Sequence, residues 1–130
     1  MVVYHIAQRL AELHAARFVH RDLKPGNVMW LPRRNRWTLI DFGSCVSSGE
    51  NAPLGYTLRY AAPEVVRALR KGEKSMTVRE SQDVWSLGVM AFELATGAAA
   101  FPAGMDPEKV WRPFLFPLPQ PHALTHSTSA

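Results

Sequence analysis

One segment, residues 82–96, constrains the fold more than any other stretch of this chain. Apolar residues occupy it at spacings that place them around almost the whole circumference of a helix: Val84, Trp85, Leu87, Val89, Met90, Phe92 and Leu94. A helix that is apolar on nearly all sides is normally buried among other elements. The segment therefore predicts a central helix, and Ser81 is the expected N-cap residue.

The cysteine content and the apolar tracts limit the compartment. Cys45 is the only cysteine in 130 residues, so no internal disulfide can form, which fits a reducing compartment. Residues 87–101 are the longest apolar tract, and Glu93 and Gly97 interrupt it below the roughly 20 residues that a membrane span needs. The first ten residues lack the pattern of a secretory leader. We therefore expect an intracellular protein, in the cytoplasm or nucleus, with no membrane partner.

The net charge is modest at +4, and part of it comes from the arginine cluster at residues 33–36. This cluster is either a small anion-binding patch or a solvated turn, and the second interpretation is favoured. A basic nucleic-acid module is disfavoured, because aromatic and basic residues do not alternate as a base-stacking surface requires. We expect no nucleic-acid partner.

The remaining patterns predict a mixture of helix and strand, an α+β fold. Residues 2–18 have apolar positions at helical spacing. The β-prone runs at residues 27–31 and 36–40, with turn residues between them, predict a hairpin. Residues 44–57 are rich in Ser, Gly and Asn and predict a mobile loop without a core element. A short helix is expected over residues 63–69, with Pro63 in its first turn and Gly72 stopping it.

The stretch "HRDLKPGN", residues 20–27, carries the most concentrated chemistry. Asp22 and Asn27 lie five residues apart on a loop, Lys24 adds a cation, and Asp41 follows at the end of the hairpin. Carboxylate and amide oxygens are ligands of the type that Mg²⁺ prefers. A free carboxylate, a cation and two metal ligands suit phosphoryl transfer, which depends on positioning and charge neutralisation.

Four motifs in order resemble the signature set of the eukaryotic protein serine/threonine kinases: "HRDLKPGN", "DFG" at residues 41–43, "AAPE" at residues 61–64 and "DVWSLGV" at residues 83–89. The resemblance implies a protein kinase-like fold, here the mostly helical large C-terminal lobe with a short β-hairpin. It also implies a reaction, transfer of the ATP γ-phosphate to Ser or Thr hydroxyls of protein substrates. "DLKP" with Lys24 is similar to Ser/Thr kinases rather than tyrosine kinases.

The resemblance implies that residues 20–27 are the catalytic loop, and it assigns roles to the residues of this loop. Asp22 would orient the substrate hydroxyl and accept its proton, and Lys24 would neutralise charge on the transferring phosphate. Asn27 and Asp41 would hold the two Mg²⁺ ions that accompany ATP.

It also assigns roles outside the loop. Met29 would lie under the adenine, and Thr57 would hydrogen-bond Asp22 and Lys24 next to the target hydroxyl. His20 and Phe42 would stack, and Asp83 would bond the backbone of the catalytic loop.

The resemblance also sets expectations about completeness. Residues 1–112 would be a partial kinase domain without the N-terminal lobe, and the Pro-rich and polar residues 113–130 a poorly ordered tail. Residues 1–130 alone would then have weak or no activity. Two interpretations stay open: the central portion of an active kinase, or a truncated, non-catalytic fragment that binds kinase partners or substrates.

Arg21 raises the question of regulation, because in similar kinases the arginine before the catalytic aspartate binds a phosphate on the activation loop. Ser47 or Ser48 is the expected acceptor, and a regulatory kinase or phosphatase the expected partner. Alternatively, Glu50 supplies a permanent negative charge to Arg21.

Overall fold

The computed structural model describes residues 1–54 and 58–100. The described residues form three helices, six short strands and two 3₁₀ turns, Pro25–Asn27 and Leu58–Tyr60. In chain order the helices and strands are α1 (Val2–Ala15), β1 (Phe18–Val19), β2 (Val28–Leu31), β3 (Arg36–Leu39), β4 (Val46–Ser47), β5 (Asn51–Pro53), α2 (Pro63–Arg70), β6 (Ser75–Thr77) and α3 (Glu80–Thr96). The predicted tail at residues 113–130 and its boundary lie outside the described residues.

Helix α1 buries Ile6 and Leu10 on one face, as the apolar spacing predicts. It ends at Ala15, three residues earlier than predicted. Arg17 has a φ of 68°, in the left-handed region where a helix cannot continue, and Phe18 already pairs in a strand. The left-handed residue therefore turns the chain from helix into strand just before the loop at residues 20–27.

The β2–β3 hairpin is confirmed, with Met29 opposite Thr38 and Trp30 opposite Trp37. Arg33 and Arg34 lie exposed in its turn, which agrees with a solvated turn. The hairpin packs on α1.

Helix α2 is confirmed, with Pro63 as its first residue. The N-cap predicted for α3 is wrong. Helix α3 begins at Glu80, and the extended residue Arg79 precedes it, so Ser81 lies within the first turn.

The prediction that α3 is buried on all sides is wrong for the part of the chain that the structure describes. Val84, Phe92 and Leu94 are 58%, 51% and 52% exposed, whereas the polar residues Asp83 and Ser86 are buried. Helix α3 therefore buries a face that carries polar side chains, because these bond the loops that lie against it.

The prediction that residues 44–57 contain no core element is also wrong in part. Strand β4 pairs with β1, and strand β5 pairs with β6. The buried Ala52 belongs to a small cluster with Val19 and Val78. Backbone pairing to distant segments orders this polar stretch, which local composition does not reveal.

The main core joins α1, α3, β3 and the loop at residues 20–27. Its buried members are Ile6, Leu10, Leu23, Leu39, Tyr60, Val89 and Met90. Leu23 comes from the loop itself, so burial of its side chain fixes the residue next to Asp22. Within residues 1–54 and 58–100, no helix has the length and apolarity to cross a membrane.

Candidate active site

The loop at residues 20–27, between β1 and β2, is anchored to α3 by the carboxylate of Asp83. Its Oδ2 accepts the backbone N–H of His20 at 2.8 Å, and its Oδ1 accepts that of Arg21 at 2.9 Å. His14 Nε2 from α1 lies 2.9 Å from the same Oδ2. The predicted bond from Asp83 to the loop backbone is confirmed. The side chain is 1% exposed, so these bonds form away from water and fix the backbone just before Asp22.

His20 links the loop to the segment after β3. Its Nδ1 accepts the N–H of Asp22 at 3.1 Å, and its Nε2 donates to the Ile40 carbonyl at 3.0 Å. These two partners together require the neutral tautomer with its proton on Nε2. The ring meets Phe42 edge to face, with centroids 5.4 Å apart, so the predicted contact is confirmed.

Asp22 lies between Lys24 and Asn27. Asn27 Nδ2 donates to the Asp22 carbonyl at 2.7 Å and to Oδ2 at 3.0 Å, while Lys24 Nζ lies 3.8 Å from Oδ1. Asn27 is buried in the 3₁₀ turn, and the Asp22 side chain stays partly exposed. The carboxylate is thus held at one oxygen while the other faces a cation and remains reachable.

Asp41 is brought to Asn27 through the backbone. The N–H of Ile40 donates to the Asn27 carbonyl at 2.9 Å, and Asp41 follows with a φ of 57°. Its Oδ1 accepts the N–H of Gly43 at 3.3 Å, and a Cβ on Gly43 would lie only 3.2 Å from this oxygen. Glycine at position 43 therefore leaves room for the carboxylate of Asp41, whose backbone is in the left-handed conformation.

These contacts bear on metal binding. Among residues 1–54 and 58–100, no group of three or more His, Cys, Asp and Glu side chains could hold a metal ion by itself. With its Nδ2 turned to Asp22, Asn27 keeps its amide oxygen for a ligand. One amide oxygen and one carboxylate suit Mg²⁺ that is completed by phosphate oxygens and water.

The structure describes only one of the two remaining predicted site residues. Met29 lies on β2 and is 44% exposed, so its side chain can contact a ligand. Thr57 lies outside the described residues.

A small open cleft beside the loop at residues 20–27 is lined in part by Asp22, Lys24, Tyr60 and Ala61. The Tyr60 hydroxyl donates to Glu93 Oε2 at 2.7 Å, and the Arg59 guanidinium donates twice to Oε1, at 3.0 and 2.8 Å. Sequence reasoning missed this network. Its signal was Glu93, the single carboxylate in the apolar stretch of residues 84–95, which needs a partner.

Titration of this network is linked to stability. Burial and the hydrogen bond to Glu93 raise the pKa of Tyr60 to about 12. Burial raises the pKa of Glu93, but the hydrogen bonds from Tyr60 and Arg59 outweigh it, so that this pKa is lowered overall. Glu93 is therefore ionised when Tyr60 is neutral, which is the pairing the geometry requires.

Raising the pH should weaken the fold through Tyr60. Because its folded pKa lies above the unfolded value of about 10, its contribution is complete below pH 10 and is lost as the pH rises towards 12. We expect wild type to lose about 2 kcal/mol more unfolding free energy than Tyr60→Phe over that interval. Urea denaturation at several pH values measures the difference, with the exposed Tyr4→Phe as control. Parallel profiles for wild type and Tyr60→Phe would contradict it.

Arg21 reaches backbone carbonyls of the segment after Asp41. Its Nη1 donates to the Ser44 carbonyl at 3.2 Å and its Nη2 to that of Pro53 at 2.5 Å. These contacts were not predicted. The sequence predicted that Arg21 binds either a phosphate on Ser47 or Ser48 or the carboxylate of Glu50. Phosphorylation of Ser47 or Ser48 stays a prediction.

Comparisons with known proteins agree with this geometry. The family model described as "Protein kinase domain" matches residues 1–115. A calcium and calcium/calmodulin-dependent serine/threonine-protein kinase of Lilium longiflorum is 36% identical over 118 residues, which cover 85% of this chain and 21% of that protein. An Aurora kinase of Saccharomyces cerevisiae is 37% identical over 102 residues, covering 76% and 26%. The serine/threonine-protein kinase TAO1-A of Xenopus laevis is 39% identical over 95 residues, covering 72% and 9%. The chain spans 26% or less of the length of each of these relatives.

Proposed function

Because this chain belongs to the protein kinase domain family, we propose that it carries the catalytic loop of a serine/threonine kinase, an enzyme that transfers the ATP γ-phosphate to Ser or Thr hydroxyls of proteins. The observation that carries the proposal is the Asp22 carboxylate, bonded to Asn27 on one oxygen and 3.8 Å from Lys24 Nζ on the other. The Lilium and Xenopus relatives, which are both named as serine/threonine kinases, support the Ser/Thr class.

In the proposed reaction, the substrate hydroxyl donates its hydrogen bond to Asp22 Oδ1, the oxygen not bonded to Asn27. The hydroxyl oxygen forms a bond to the γ-phosphorus, the bond from that phosphorus to the leaving oxygen of ADP breaks, and the proton passes to Asp22. Lys24 stabilises the charge on the transferring group from beside the carboxylate. Asn27 keeps the carboxylate oriented throughout.

The residues present fit the metal that such a reaction uses. Asn27 through its amide oxygen and Asp41 through its carboxylate would hold Mg²⁺, which neutralises phosphate charge when bound. Met29 would contact the adenine, and Thr57 would bond Asp22 and Lys24.

Loss of the Asp41 carboxylate should weaken Mg²⁺-dependent ATP binding about tenfold or more, because it removes the charged ligand proposed for the ion, and even the loss of a residue that only supports a metal ligand costs about 10- to 100-fold in affinity. Asn27→Ala should have a smaller effect, since a neutral amide ligand binds the ion less strongly. Isothermal titration of each variant with ATP, first in Mg²⁺ and then in EDTA, measures both losses of ATP affinity. Met29→Leu is the control, because it preserves an apolar contact without touching a metal ligand. Metal-independent ATP binding by Asp41→Ala, equal to wild type, would contradict the assignment.

The rest of the proposal concerns organisation. Residues 1–112 would belong to the large lobe of an intracellular kinase, with residues 113–130 as a tail. Its partners would be protein substrates. The test is phosphorylation of a serine, a threonine and a tyrosine peptide by the full-length gene product. Transfer to serine or threonine supports the proposal, and ATP binding without transfer supports the non-catalytic binding fragment instead.

A further inference from the structure

We propose that strand β6 and its flanking residues, Lys74 to Val78, are a positioning element for the active site that works without phosphorylation. They clamp residues 49–54, and the clamped segment holds the guanidinium of Arg21, the residue that precedes Asp22. The clamp stands on contacts alone, while its effect on catalysis rests on the proposed function.

Backbone hydrogen bonds extend along the whole clamp. Gly49 donates to the Val78 carbonyl at 2.8 Å, Val78 to the Glu50 carbonyl at 2.8 Å, and Leu54 to the Lys74 carbonyl at 2.9 Å. These bonds lie on both sides of the β5–β6 ladder. The clamped segment is therefore fixed at both ends rather than at a single point.

The register of the ladder explains how Pro53 is accommodated. Ala52 faces Met76 and Pro53 faces Ser75. Hydrogen-bonded and non-hydrogen-bonded pairs alternate in an antiparallel ladder. Because Leu54 bonds Lys74, the neighbouring pair of Pro53 with Ser75 is a non-hydrogen-bonded one. Proline, which has no N–H, therefore costs the ladder nothing at this position, and the pair of Ala52 with Met76 is a hydrogen-bonded one.

Burial connects the clamp to the catalytic loop. Ala52 from the clamped segment and Val78 from the clamp pack with Val19, which directly precedes His20, and all three side chains are buried. Small apolar side chains excluded from water keep the two segments together. Displacement of β6 would therefore disturb the residue before the loop.

The connection to Asp22 runs through Arg21. Its guanidinium donates to the carbonyl of Pro53 in the clamped segment and to that of Ser44 before the segment, and its own backbone N–H donates to Asp83. Charge-assisted bonds of this kind are about twice as strong as neutral ones. The position of Pro53, set by the clamp, thus helps to set the position of Arg21.

The two candidate serines are held in place by contacts that need no phosphate. Ser47 is paired with Phe18 in the β1–β4 ladder. The Ser48 hydroxyl hydrogen-bonds the Glu80 carboxylate and lowers the pKa of that carboxyl. A phosphate on Ser48 would face this negative charge at close range, so repulsion would oppose it.

The first test is amide hydrogen exchange on the 130-residue chain, dephosphorylated and checked by intact mass. Leu54 and Val78 should exchange slowly. Met76→Pro removes the donor of a hydrogen-bonded pair and should speed their exchange at least tenfold. Ser75→Pro makes the same substitution at a non-hydrogen-bonded position and should change it less than threefold. Amides of the β2–β3 hairpin serve as the internal reference for local opening.

Two results would overturn the clamp: fast exchange in the dephosphorylated chain that slows only after phosphate is added, or equal exchange in Met76→Pro and Ser75→Pro. If Met76→Pro fails to fold, Leu54→Pro replaces it, because it removes only the bond to the Lys74 carbonyl, and the Val78 amide is then the reporter.

The second test measures catalysis in the full-length gene product. Phosphatase should leave the kcat for a serine peptide unchanged. Met76→Pro should lower kcat at least tenfold with KM for ATP within about threefold, and Ser75→Pro should lower it much less. An unchanged kcat in Met76→Pro, or loss of activity on phosphatase treatment, would overturn the positioning role. Absence of transfer by wild type would refute the proposed function, while the exchange result still decides the clamp.

Discussion

Asp22→Asn is expected to lower the turnover of serine-peptide phosphorylation by about 10²- to 10⁴-fold, the range that a positioned proton acceptor contributes. Asparagine has the same shape, and its amide oxygen can still accept from Asn27 Nδ2, now 3.0 Å from Oδ2. It cannot, however, take a proton from the substrate hydroxyl. ATP affinity should stay within about threefold, because Asp22 is not among the proposed metal ligands. Steady-state kinetics and ATP titration of the full-length gene product measure the two effects.

The matched control is Glu12→Gln, the same carboxylate-to-amide change at an exposed residue of α1 that pairs only with Arg9 in the described contacts. It should leave turnover and ATP affinity unchanged. A melting temperature close to wild type would show that Asp22→Asn is folded. Near-normal turnover in a folded Asp22→Asn would refute the role of Asp22 as proton acceptor.

The elements that local pattern predicted well are those whose contacts are local. The β2–β3 hairpin joins neighbouring residues through a short turn, and Pro63 pre-organises the first turn of α2. In both cases the residues that decide the structure lie within about ten positions of one another. These two elements could therefore be predicted without knowledge of contacts between residues far apart in the sequence.

Helix α3 shows where pattern alone failed. Its apolar residues indicated a helix correctly, but they could not indicate which face would be covered. Asp83 and Ser86, which hydrophobicity assigns to the surface, are buried because they accept or donate bonds to loop backbone. A buried polar group is stable only with its partner, and the partners lie 26 to 63 residues away along the chain.

The prediction for the polar residues 44–57 missed their strands for the same reason. Phe18 faces Ser47, and Ala52 faces Met76, so each pairing closes a long loop. Backbone groups rather than apolar side chains make most of these contacts. Composition therefore carried almost no signal for β4, β5 and β6.

The site divides in a similar way. Asp22, Lys24 and Asn27 fall within six residues, and together with Asp41 after the hairpin they indicated phosphoryl chemistry. The bond from Asp83 and the contact of His20 with Phe42 were expected only from the family resemblance, since no local rule connects them. The bond of Tyr60 to Glu93 was missed by both.

Asp83→Ala should lower the free energy of unfolding by about 3–5 kcal/mol, a large part of the 5–15 kcal/mol of a typical domain. The substitution leaves the N–H groups of His20 and Arg21 without their acceptor in a site with almost no solvent access. Each buried unsatisfied donor costs about 1–3 kcal/mol. His14 also loses its bond to the carboxylate. Urea denaturation at neutral pH measures the change.

Two variants separate this bonding role from simple truncation of α3. Val84→Ala shortens the adjacent, exposed residue of the same helix and should change stability by less than about 0.5 kcal/mol. Asp83→Asn keeps one acceptor oxygen but turns an amide donor towards the other N–H, so its cost should be intermediate. An Asp83→Ala chain within 1 kcal/mol of wild type would mean that water or another acceptor satisfies both N–H groups. Asp83 could then not be the residue that holds the loop, and the fixed position of Asp22 would have to depend on His20 and Asn27 alone.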